Sequence, residues 1–239
     1  MYQTTGVKVS GNRDINCNVT LYRGVVGEFK GLSTAVKKSL IQARIYLSLN
    51  GIEGDCCADT KHHGGLERAL HQYPIEHYQY WQKQFPESKL LFIASAMGEN
   101  ISSAGMTEHN VYIGDQFQLG EAIIEVSQPR SPCYKLNRFL EVEGFAETVQ
   151  QTNRCGWLYR VITPGFVEPH AKLTLLRRAK NSLSVYQVAN TFFNDPTNIA
   201  ALQKIAKLAP LSQHWKDYVQ KRLETGNIEA WQARLTGVF

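Results

Sequence analysis

With 239 residues, 20% of them charged, the chain has room for one large domain or for a core domain with a small one appended. No apolar run approaches the ~20 residues that cross a bilayer. Met1–Asp14 lacks the basic start and apolar stretch of a secretory signal, so a membrane span is disfavoured and the cytoplasm is the expected compartment. The net charge of +5 falls entirely after residue 176, where 9 Lys and Arg face 4 Asp and Glu; these positives alternate with apolar residues at helical spacing, which reads as a solvated helix face and disfavours nucleic acid as a partner.

Five cysteines, Cys17, Cys56, Cys57, Cys133 and Cys155, make an odd number without C-x-x-C spacing. That argues for reduced thiols over a disulfide framework or a structural zinc.

From Gly6 to about Leu176, short apolar or alternating runs are cut by Gly, Pro, Asn and Asp, the pattern of strands joined by turns. Val19-Thr20-Leu21-Tyr22 is the first clear strand. A helix follows over 74–85: Pro74 suits its first position, Ile75, Tyr78, Trp81 and Phe85 keep one face apolar, and Pro86 stops it. Val111-Tyr112-Ile113, Phe117-Gln118-Leu119 and Ala122–Val126 then read as a meander punctuated by Gly114-Asp115 and Gly120-Glu121. A weaker helix spans about Val142 to Gln151. The expected fold is mainly β with α: a barrel core over residues 1–178, then a small α-helical bundle over 179–239. In the bundle, apolar stripes run through Val185, Val188, Ala189 and Phe192, through Ile199, Leu202, Ile205 and Ala206, and through Trp215, Val219 and Leu223. Ser184, Asp195, Ser212 and Asn227 are the expected N-caps, with Gly226 as a stop.

Three constellations can carry chemistry. Gly51-Ile52-Glu53-Gly54-Asp55 and Lys61-His62-His63-Gly64-Gly65-Leu66-Glu67-Arg68 place glycines, Asp, two His and Arg in turns whose backbone amides suit an anion; the alternative is a plain turn with a solvated edge. Adjacent histidines do not readily share one metal, which disfavours a zinc enzyme. Met97-Gly98-Glu99-Asn100-Ile101 offers an acceptor and an amide for the edge of a heterocycle, or a turn cap. In Gln128-Pro129-Arg130-Ser131-Pro132-Cys133-Tyr134-Lys135, two prolines stiffen the loop and two cations flank Cys133. Nearby cations favour the thiolate, a soft ligand or nucleophile; a small buried hydrophobe is the competing role. A cysteine hydrolase would need a histidine base, and the spacing of His62, His63 and His71 gives that no support. Cys155 reads as packing.

Taken together, Gly51–Asp55, Lys61–Leu70, Met97–Ile101, Val111–Asp115, Ser127–Leu136 and Gly156–Tyr159 resemble the MOSC family, named for the C-terminal domain of molybdenum cofactor sulfurases, and within it the bacterial YiiM subgroup. The resemblance spans roughly residues 5–176, and the helical tail is similar to that subgroup's extension. It implies a β-barrel core, a molybdenum cofactor of the molybdopterin type, and Cys133 as its metal ligand. It implies Gly64, Gly65, His63, Arg68, Arg130 and Lys135 at the cofactor's phosphate and dithiolene end, with Asp55, Glu99 and Asn100 at the pterin or the substrate pocket. Similar proteins reduce N-hydroxylated compounds, hydroxylaminopurine-type base analogues among them, independently of pyridoxal phosphate and with electrons from a flavin-containing partner. His62 or His63 is the expected proton source. No G-x-G-x-x-G and no cysteine cluster is present, so electrons come from outside and the basic tail is a candidate docking face. The alternative is a cofactor carrier or sulfur-relay protein without organic turnover; the oligomeric state stays open, a dimer included.

Overall fold

The computed structural model describes residues 15–29, 31–56 and 64–238. Seven strands close a barrel: β1 (Asn16–Arg23), β2 (Leu70–Pro74), β3 (Ile101–Ser103), β4 (Gln116–Leu119), β5 (Ala122–Pro129), β6 (Trp157–Thr163) and β7 (Lys172–Arg177). Their order is β7-β4-β5-β6-β2-β3-β1, and β1 returns to β7 through Asn16 opposite Thr174. Closure satisfies the edges that an open sheet would leave unpaired. All neighbours run antiparallel except β2 and β3, where Gln72 lies opposite Ile101. A parallel pair needs a long crossover, and α1 (Glu76–Gln84) lies in it.

The barrel's interior is filled by its own side chains. Leu21, Leu70, Ile101 and Leu119, with Leu47 and Val167 from flanking strands, leave a void of only about 10 Å³. A ligand of any size therefore binds outside the core, at strand ends and loops.

Two expected elements shift. Pro74 ends β2 instead of opening a helix: it pairs with Ser103 in the parallel ladder, and the Ile75 amide donates to the Ser103 carbonyl. Ile75 is accordingly exposed, and α1 buries His77, Tyr78 and Trp81. In Val111-Tyr112-Ile113 the outer two residues are buried and Tyr112 is half-buried, and the run forms no strand, Tyr112 bridging Ser184. Its backbone pairs with the C-terminal part of the chain, Val185 N to Val111 O and Ile113 N to Leu183 O, so it has no β4-like partner. The second helix, α3 (Phe145–Thr152), starts later than expected because Gly144 is left-handed at φ 69°. It is preceded by the short α2 (Lys135–Phe139).

After the barrel come α4 (Val185–Asn194), α5 (Ile199–Ala206), α6 (Gln213–Thr225) and α7 (Gln232–Thr236). Ser184 caps α4 in a reciprocal box with Gln187, and Ser212 caps α6. Asn198, not Asp195, caps α5, while Asp195 closes α4; Asn227 opens no helix, since α7 begins at Gln232. Val188, Phe192, Leu202, Ile205, Trp215 and Val219 are buried, whereas Ile199 and Ala206 face solvent. These helices seat on the barrel through Arg160, which bonds Glu67 and Glu125 and also the Pro210 carbonyl, and through Ser212 N to Ser127 O. No helix among the described residues is long and apolar enough to cross a membrane.

Candidate functional site

Cys133 sits where β5 gives way to α2. Pro129 is the last residue of β5, Pro132 is buried, and the Leu136 amide closes a turn on the Cys133 carbonyl at 3.1 Å. Among the described cysteines its setting is distinct. Cys155 is fully buried and its thiol is pushed far up by burial; Cys17 is pushed up to about 11, chiefly by burial, and its Sγ donates to Met106 Sδ; Cys56 is exposed. Cys133 is half-buried in a stiff loop.

The loop is held from an element remote in sequence. Arg234 of α7 donates through Nη1 to the Pro132 carbonyl and through Nη2 to Gln150 Oε1 at 2.6 Å, while the Arg234 carbonyl accepts from Tyr134 N at 2.8 Å. Asn137 Nδ2 reaches the Leu235 carbonyl at 3.1 Å. Burial lowers the Arg234 guanidinium to about 10, and its bonds to Pro132 and Tyr134, on either side of Cys133, set it against the cysteine loop that also carries Arg130. Arg234 was not among the sequence candidates, because a lone arginine in a basic tail carries no local signal.

Arg130 anchors its amide on the Gly156 carbonyl at 3.2 Å, yet its Nη1 is buried without an acceptor among the described residues. Buried guanidinium donors without partners are costly, which makes Arg130 a candidate donor to a ligand. His71 and Gln128 lie nearby: both pair with Leu158 across β6, and His71 Nε2 and Gln128 Oε1 are also buried and unpartnered. Burial first, then the Arg130 charge, hold the His71 imidazole well below its ordinary range, so it is neutral near pH 7. Gly156 permits this approach: at φ 69°, a Cβ there would stand 2.3 Å from the Gln72 carbonyl and 2.9 Å from His71 Nε2.

The acidic candidates are turned inward. Glu99 has no exposed surface and its oxygens accept from Tyr78 Oη, Ser95 N, Ser102 Oγ and Met97 N, which makes it the organiser of its loop rather than a ligand-facing group. Asp55 takes both oxygens to Lys38 Nζ at 2.7 Å and accepts from Gly24 N and Asn100 Nδ2. Asn100 in turn accepts from the His71 amide at 3.1 Å, so Lys38, Asp55, Asn100 and His71 form one relay. Lys38, outside the sequence motifs, is its cation.

On the glycine loop, Gly64 and Gly65 have φ 77° and 89°, the Arg68 Nε donates to the Gly64 carbonyl at 2.9 Å, and a side chain at Gly65 would meet nothing. Ser127 Oγ, three residues before Arg130, ties this loop to β5 by donating to the Glu67 carbonyl at 2.6 Å. His62 and His63 lie outside the described residues. Lys135 opens α2 two residues after Cys133, half-buried. The structure thus gathers Arg130, Cys133 and Lys135 on one loop, with Gly64, Gly65 and Arg68 tied beside its base, while Asp55, Glu99 and Asn100 act from behind.

With this geometry in hand, the chain can be compared with known proteins. The MOSC domain matches residues 59–174, and the YiiM-like, 3-alpha helix domain matches residues 183–226. Protein YiiM of Escherichia coli (strain K12) is 43% identical over 220 residues, which is 92% of this chain and 98% of that protein. A protein of Gibberella moniliformis described as a reductase is 33% identical over 196 residues, 81% of this chain but 34% of its own length. The crystal structure of YiiM from Escherichia coli superimposes with a TM-score of 0.81 at 40% identity, covering 92% of this chain and 98% of that one.

Proposed function

We propose, from the premise that the chain belongs to the MOSC domain family in its YiiM-like form, that it is a molybdenum-cofactor-dependent reductase of N-hydroxylated compounds, fed with electrons by a separate flavin-containing protein. MOSC domains are associated with molybdenum cofactor binding. The reductase step is our inference; the fungal relative described as a reductase supports it.

The observation that carries the reading is the setting of Cys133: a half-buried thiol on the loop that carries Arg130 and that Arg234 holds at Pro132, with Arg130 Nη1 buried and without an acceptor among the described residues. A pterin cofactor presents anionic oxygens to charge-assisted donors and a metal to a soft sulfur, and these residues fit both. On this reading Cys133 holds the metal, while Arg130, Lys135, Arg68 and the Gly64 and Gly65 amides hold the anionic end, with His63 beside them. Asp55, Glu99 and Asn100 position the surrounding loops. Bound there, the cofactor supplies the two-electron change that N–O cleavage requires. The balance is one R–NHOH, two electrons and two protons to R–NH2 and water, so a proton donor must stand near the departing hydroxyl.

His62 or His63 is the proposed donor, because histidine exchanges protons near neutral pH. In fully loaded enzyme, His62→Ala or His63→Ala should slow turnover and move the pH profile; wild-type rate and profile in both removes the role. Lys204, Lys207, Lys216 and Lys221 supply the proposed docking charge for the electron donor. Reversing them should weaken transfer, and added salt should do the same.

The deciding experiment compares wild type with Cys133→Ser, both expressed in a cofactor-producing host. Molybdenum content should fall to background in the variant, and wild-type protein given a chemically reduced dye should convert hydroxylaminopurine to the amine. Equal molybdenum in the two proteins would remove Cys133 as an essential ligand. Cysteine-dependent molybdenum without any reduction would favour the carrier reading.

A further inference from the structure

We propose that Arg234 of α7 and Arg130 of the barrel together form a receptor for a phosphoryl-type anion beside Cys133, so that the C-terminal helix is part of the ligand site and not only a cap on the fold. The inference deepens the reading above in one respect, since it takes the cofactor's phosphate as the natural occupant.

Arg234 is half-buried, and both of its side-chain hydrogen bonds go to neutral acceptors, the Pro132 carbonyl and Gln150 Oε1. Arg130 has a buried Nη1 with no acceptor among the described residues. Neither guanidinium forms an ion pair with a carboxylate among the described residues, whereas Arg160, Arg178 and Arg222 each do. Arg234 Nη1 bonds the Pro132 carbonyl, two residues along the loop from Arg130, so two like charges share one half-buried stretch and repel. Such an arrangement is stable when an anion joins it, and guanidinium forks match phosphoryl oxygens in geometry as well as charge.

Arg234 is also held in place through its helix. Tyr134 N on the Arg234 carbonyl, Asn137 Nδ2 on the Leu235 carbonyl and Gly237 packed on the Tyr134 ring fix α7 on the cysteine loop from three sides. A Cβ at Gly237 would stand 2.7 Å from that ring. The cation is thus presented by a docked helix rather than by a free tail. Arginine's five N–H donors exceed the two bonds it makes here, which leaves donors for a ligand.

The test uses full-length, cofactor-free protein and inorganic phosphate as the probe, read by calorimetry. Wild type should bind phosphate, and Arg234→Gln and Arg130→Gln should each weaken binding by about tenfold, the loss expected for one charge-assisted bond. Arg234→Lys, which keeps the charge, should bind more weakly than wild type but better than Arg234→Gln; if neither variant at 234 folds, Arg130→Gln decides the matter, and wild-type phosphate binding there overturns the site. A wild type that binds no phosphate, or Arg234 variants that bind it like wild type, overturns the site. Molybdenum content after expression in a cofactor-producing host separates the sources: loss in Arg234→Gln assigns the anion to the cofactor, and unchanged content with weakened phosphate binding keeps the site but assigns it to another phosphorylated ligand. If molybdenum depends on Cys133 while phosphate binding ignores Arg234, this inference fails and the reading of Cys133 stands.

Discussion

Glu99 accepts four hydrogen bonds in a place without solvent, and burial raises its carboxyl above the ordinary range while the Tyr78 and Ser102 hydroxyls hold it back. Removing it takes the acceptor from two hydroxyls and from the Ser95 amide, while the Met97 amide keeps the Tyr78 hydroxyl at 3.1 Å. Glu99→Ala should therefore cost about 3–5 kcal/mol in urea denaturation, and a loss under about 1 kcal/mol would show that water replaces the carboxylate. His71 gives the pH dependence. Its imidazole is held neutral in the folded protein and titrates at its ordinary value when unfolded, so below pH 6.5 the unfolded state binds more protons and stability falls as pH falls. The slope is at most about 1.4 kcal/mol per pH unit. His71→Gln should lessen the drop in melting temperature between about pH 7 and pH 5.5; an unchanged drop assigns acid sensitivity to other groups.

Among the elements, the β2–β6 contact is the tightest constraint. Gly156 lets Trp157 pair with Gln72 while its own carbonyl receives Arg130 N. Gly156→Ala combines a positive φ with a 2.3 Å collision against backbone, and about 3 kcal/mol or more should be lost, with Arg130 displaced. Wild-type stability and cofactor content in that variant would contradict this account. Local pattern predicts elements well where their partners are also local, as in the β4–β5 hairpin and in α4, whose cap and apolar stripe lie in one run. It fails at Pro74 and at Val111–Ile113, whose hydrogen-bond partners, Ser103 and Leu183 with Val185, lie far along the chain. A backbone group takes the partner that folding supplies, and propensity yields to it.

At the scale of the molecule, the helices and the barrel share buried charge. Asp115 has no exposed side-chain surface, and the Arg178 fork holds both its oxygens, at 2.9 and 2.7 Å. Arg178→Ala strands that carboxylate where the barrel meets the C-terminal helices, and about 3–5 kcal/mol should be lost in thermal or urea unfolding. A neutral result would mean that Asp115 finds water instead.

The sequence by itself determined the mainly β core followed by helices, and it set apart the proposed cysteine loop, because Pro129, Arg130, Pro132, Cys133 and Lys135 fall within seven residues and proline acts locally. Only the tertiary structure decided that Glu99 organises a loop, that Lys38 completes the Asp55 relay, and that Arg234 stands beside Cys133. The Lys38 and Arg234 roles depend on groups that meet in space across 17 and 102 residues of chain, and Glu99 depends on a Tyr78 hydroxyl 21 residues away as well as on its own loop; hydrogen bonding and Coulomb forces at such separations leave no trace in local pattern.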